Sequence, residues 1–177
     1  LLRRVLRRQQ GQTTMIKENI AMYTLWTLIE VLSAAGALNG AKGVEQALMQ
    51  PLELEAPPRS NTLYYKGHPP PVEMEGYIER LRLVMHSTGT LFRVDIDLAD
   101  SCITREEIKE HFPDLHFSYK APSAAPAAPF SYASRRLEVP IIFRFLNRSP
   151  DCLSGIRIDY QSRVDEYGRP PPERLEE

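Results

Sequence analysis

Cys102 and Cys152 are the only thiols in the chain. Their separation, about fifty residues, limits the sulfur chemistry open to them. Without a Cys-x-x-Cys they carry neither a dithiol redox motif nor half of a zinc site. Cys102 stands at the mouth of a strongly signalled helix, and Cys152 in the turn between two signalled strands. A bond between them would staple a helix to a hairpin. Closing a loop of that length stabilises a fold by roughly 4 kcal/mol in the chain-entropy view. Such bonds persist where the surroundings are oxidising. The alternative is a pair of buried thiols in a cytosolic protein.

The remaining chemistry-bearing residues do not converge by spacing. The four histidines are His68, His86, His111 and His116. Pro113 separates the last two, so they share no helix face, and no His-x-x-x-His or His-Glu-x-x-His occurs. Asp95, Asp97 and Asp100 gather near one strand end. They fit a cation site or an acid/base pair, or else cross-strand ion pairs with Arg80 or Arg82. There is no Gly-x-Ser-x-Gly elbow, and none of the nine glycines falls at phosphate-loop spacing. These patterns lead to the expectation of a protein that is not an enzyme and uses no cofactor or metal. Outward tyrosines and arginines offer a different chemistry. Tyr64, Tyr65, Tyr132, Arg135, Arg136 and Arg144 are of the types that dominate protein interfaces. The competing reading is an ordinary surface neutralised by the acidic residues beside them.

The elements that must position these residues follow from composition and patterning. At 177 residues, 42% hydrophobic and 25% charged, the chain has the make-up of a folded domain. A formal net charge of −1 gives no case for a nucleic-acid partner. Only Arg3, Arg4, Arg7 and Arg8 form a basic cluster. The chain opens on Leu1, which leaves Met15 or Met22 as candidate starts. Fifteen prolines bunch at 57–58, 69–71, 122–129 and 170–172, and these bunches mark the joints. The expected organisation is a basic segment and apolar helix over 1–50, a Pro-rich linker over 51–76, a domain over 77–165 and a disordered tail over 166–177.

Within the domain, Leu81, Leu83 and Met85 alternate with Arg80 and Arg82. Phe92, Val94, Ile96 and Leu98 alternate with Arg93, Asp95 and Asp97. The pattern predicts an antiparallel hairpin turning around Gly89. Thr104 and Glu107 form a capping box, with Ile103 and Ile108 at the hydrophobic-staple positions, for a helix ending near Phe112. A Pro/Ala-rich exposed loop follows over 120–129. Strands are then expected at 130–135, through Leu137–Phe145 and across Ile156–Tyr160. The fold class read from this order is α+β: about five antiparallel strands packed on one capped helix, with an additional N-terminal apolar helix.

Residues 19–38 are the most apolar stretch and keep three readings open. Lys17 and the Ser33–Ala37 run suit a secretory signal. The length suits a membrane span, although Glu30 costs roughly 2.5–3.5 kcal/mol at its centre. The polar stripe of Thr24, Thr27 and Glu30 suits a helix packed in a soluble domain. Membrane contact is expected only through this stretch. Trp26–Leu32, an aromatic residue with a Glu four positions on at the head of an apolar run, resembles the start of a mature type IV pilin, which implies an anchored structural subunit. The order of elements over 102–160, a helix and then a hairpin, resembles SmpA-type envelope lipoproteins and the β-lactamase inhibitor protein, and also bacterial immunity proteins. That resemblance implies a non-catalytic binding or inhibitor protein of the bacterial envelope with a protein partner. Its location would be periplasmic or secreted, with the cytoplasm as the alternative, and a cytosolic accessory domain of an enzyme as a further reading.

Overall fold

A computed structural model describes residues 23–55, 61–137 and 139–161. The order is β1 (Tyr23–Thr24), α1 (Leu25–Leu48), β2 (Glu53–Leu54), β3 (Thr62–Gly67), β4 (Val72–Glu73), β5 (Tyr77–His86) and β6 (Leu91–Ala99). Then come α2 (Arg105–His111), β7 (His116–Lys120), β8 (Pro129–Ser134), β9 (Ile141–Leu146) and β10 (Ser149–Asp159). β1 pairs with β4 in parallel. The other strands form one eight-stranded antiparallel sheet in the order β2-β3-β5-β6-β10-β9-β8-β7.

The expected α+β body is therefore corrected. Among the described residues the chain is mostly β, with eight strands in the main sheet rather than about five, a small parallel pair besides, and only two helices. The extra strands come from short, exposed segments. The stretch 51–76, read as a linker or extended edge with a short strand at Leu63–Tyr65, holds β2, β3 and β4. β7 is an edge strand whose residues are exposed except Tyr119. Strands buried on neither face lack the apolar alternation that announces a strand.

One face of the sheet carries the core. Leu25, Leu28, Ile29 and Leu32 of α1 lie against Leu81, Leu83, Val94, Ile96, Phe143, Ile156 and Ile158, all buried. Thr24 caps α1 by accepting the Thr27 N–H. Gly40, at φ 57° and ψ −140°, breaks the helix into two pieces, a backbone conformation that glycine tolerates. Met49 closes it in the left-handed region. Tyr160, just past β10, ties the helix down by donating its hydroxyl to the Leu32 carbonyl at 2.7 Å. Gly36 makes room for that ring, since a Cβ there would lie 2.3 Å from Tyr160 Cε1. No helix among the described residues is long and apolar enough to cross a membrane. The N-terminal arginine cluster, both candidate start methionines and the tail lie outside the described residues.

α2 has the capping box read from its residues: Thr104 accepts the Glu107 N–H, and Glu107 accepts the Thr104 N–H. Ile108 is fully buried, and Trp26 of α1 stacks on His111 with ring centroids 4.4 Å apart. The disulfide Cys102–Cys152 is present, with Cα atoms 4.4 Å apart. Cys152 sits within β10 rather than in a turn, in the stretch between Ser149 and Leu153 where the register against β9 slips. The Leu153 N–H donates to the Ile103 carbonyl at 2.9 Å beside the bond, so the entrance of α2 is held to β10 by two links.

Candidate functional site: the open face of the sheet

The alternation that buries Leu81, Leu83, Ile96 and Ile158 sends their neighbours to the opposite face. Arg80 and Arg82 of β5 stand opposite Asp97 and Asp95 of β6, and Asp95 in turn faces Arg157 of β10. Gly155 of β10 faces both Asp97 and Arg144 of β9. Because Gly155 has no side chain, Arg144 lies across it, and a Cβ there would come 2.6 Å from Arg144 Nη2. Arg144 thereby reaches two strands over to Asp97 at 2.6 Å. Arg80 meets the other oxygen of Asp97 at 2.5 Å. Asp95 accepts from Arg157 Nε at 2.9 Å and Arg93 Nε at 3.0 Å. Burial pushes the Asp95 carboxyl up, but the Arg157 and Arg93 charges outweigh it and hold it below its ordinary 3.8. Arg82 pairs with Glu55 and lies over the Tyr64 ring, 5.6 Å from its centroid.

Beside this lattice the face sinks into a trough of about 470 Å³ spanning β7 to β10. Small residues, Ser131 and Ala133 of β8, lie in its lining between the taller walls of β7 and of β9–β10. His116, Tyr119 and Arg135 line one side, and Ile142, Arg144, Arg157 and Asp159 the other. Asp114 positions the rim. It accepts the Ser134 hydroxyl at 2.6 Å and the Arg135 N–H at 2.7 Å, which fixes the backbone where Arg135 leaves β8. Desolvation acts to raise the Asp114 carboxyl, but these hydrogen bonds lower it overall. A second depression of about 260 Å³ adjoins the first, shares Arg144 and Pro129 with it, and is bounded by Glu79, Arg80 and Arg148.

Of the six interface candidates, Arg135 and Arg144 come together in the trough. Tyr64 lies on the same face at its far side, 40% exposed. Tyr65 and Tyr132 pack against the core instead, and Arg105 lies over the Tyr132 ring. Arg136 is outside the trough and donates to the His111 carbonyl. Arg148 and Arg157 belong with Arg135 and Arg144, although the six leave them out. The polar position of Arg157 between Ile156 and Ile158 is the signal that marks it. Among the described residues no group of three or more His, Cys, Asp or Glu side chains is placed to hold a metal ion. The disulfide fits an oxidising compartment. No protein family, curated protein or solved structure matches this chain.

Proposed function

We propose that this chain is a non-catalytic binding or inhibitor protein, periplasmic or secreted, that engages a protein partner through the bare face of its sheet. The observation that carries the reading is the asymmetry of that sheet. One face is buried under α1, while among the described residues no helix covers the other, which still holds a shaped trough. The Arg–Asp lattice supports the reading, because paired side chains on a rigid strand scaffold lose little freedom when a partner arrives. The disulfide supports the compartment.

The test is site-specific photo-crosslinking in cells of the native host. A photoreactive residue at Ser118, on the wall of the trough, is expected to give one discrete adduct. The same residue at Glu30, exposed on α1, is expected to give none. Equal labelling from both positions, or none from Ser118, overturns the proposal.

A further inference from the structure

Resting on that reading, we infer that the trough receives an extended, acidic segment of the partner polypeptide, whose carboxylates are met by Arg135 at one end and Arg148 at the other. β8 and β9 run antiparallel with Pro129 opposite Leu146 and Ser134 opposite Ile141. Arg135 follows Ser134, and Arg148 lies just beyond Leu146, so the two guanidinium groups flank the pair at opposite ends. β8 is six residues long, which in a strand is roughly 20 Å. The two adjoining depressions share Arg144 midway, so the lining is continuous from one end to the other. A long open channel of this kind suits a stretch of backbone better than a compact small molecule.

Charge selects the chemistry. Arg80, Arg93, Arg144 and Arg157 are committed to Asp95 and Asp97. The Arg135 and Arg148 side chains have no hydrogen-bond or ion-pair partner among the described residues. They are therefore the uncommitted cations of the channel, each with a planar fork suited to a carboxylate. Asp159 and Glu79 on the walls repel a continuous polyphosphate and admit spaced carboxylates. Ile142, Ala133 and the Tyr119 ring offer apolar contact between the charged ends.

The test uses the full chain and a fluorescein-labelled, end-capped octapeptide of alternating Val and Glu, followed by anisotropy at low salt. Saturable binding is expected. The Val/Gln counterpart is expected to bind at least about tenfold more weakly, the size of effect that lost charge-assisted contacts produce. Arg135→Ala and Arg148→Ala should each weaken binding about three- to fivefold, and Arg135→Glu with Arg148→Glu should abolish it. Neither side chain is paired, so the variants should keep the wild-type circular dichroism. Arg136→Ala, outside the channel, should bind as wild type. Equal binding of the Gln peptide, no binding of either peptide, equal binding of a single-stranded oligonucleotide, or arginine variants that bind as wild type each overturn the proposal. If the Ser118 crosslink persists while the Glu peptide fails, the acidic partner is wrong and the binding face stands. If the crosslink is lost as well, both fall.

Discussion

The two faces of the eight-stranded sheet are built from alternate residues of the same strands, yet they hold by different physics. On the covered face, Leu81, Leu83, Ile96, Phe143 and Ile158 exchange water for close apolar contact under α1. That gain grows with area and needs no particular angle. On the open face, Asp95 and Asp97 each take two arginines at hydrogen-bond distance. This gain is directional and depends on the register of three or four strands at once. The difference separates the work of the molecule: the covered face supplies most of the stability, while the lattice fixes side chains in place and leaves Arg135 and Arg148 without carboxylates among the described residues.

The sharpest way to break this comparison is to truncate on the covered side. Phe143 is 0% exposed, and Phe143→Ala should cost about 3–5 kcal/mol in urea unfolding. A loss comparable to that of an open-face change would mean that the core does not carry the fold. Opening the staple comes next. Cys102→Ser should cost about 2–4 kcal/mol, measured against the oxidised protein at matched conditions. Gly36→Val should follow at about 1–3 kcal/mol, since the added atoms meet the Tyr160 ring. A drop in helix signal with the sheet intact would locate the damage at α1. Asp97→Asn should cost about 1 kcal/mol, because the Arg80 side chain is half-exposed, but it should loosen Arg144.

The smallest effect is one of pH, and it belongs to the open face alone. Asp95 titrates below its ordinary 3.8 in the folded protein. Its stabilisation is therefore fully present above that value and is lost as pH falls through the lower, folded one. Asp95→Asn should flatten the acid limb of a stability-against-pH curve there and leave the neutral region lower. An unchanged acid limb would show that other carboxylates control it.

Much of the covered face was legible because burial writes itself into alternation. The hairpin of β5 and β6, the capping box of α2 and the cysteine pair could all be read from local spacing, since each rests on residues a few positions apart or on two unique side chains. The outer strands carry a weaker signal. Thr62–Gly67 lies among prolines and shows only as the short run Leu63–Tyr65, and His116–Lys120 has Phe117 at 56% exposure. The break in α1 at Gly40 falls where the apolar run of residues 19–38 ends, and the glycine there takes a positive φ. On the open face the residue types were visible, but their partners were not. Arg82 stands opposite Asp95 yet pairs with Glu55, and Arg144 reaches Asp97 only because Gly155 lies between them. Those choices follow from a register that joins residues dozens of positions apart.

The place of β10 in the sheet has a consequence for how the protein is made. Among the described residues it is the last strand in sequence, yet it stands between β6 and β9 and joins β2-β3-β5-β6 to β9-β8-β7. During vectorial synthesis both half-sheets emerge with one unfinished border each, and α1 waits for its anchor at Tyr160. A nascent chain halted before residue 149 therefore presents two sticky strands and a greasy helix to its surroundings. Only when the closing strand has emerged can the two halves lock.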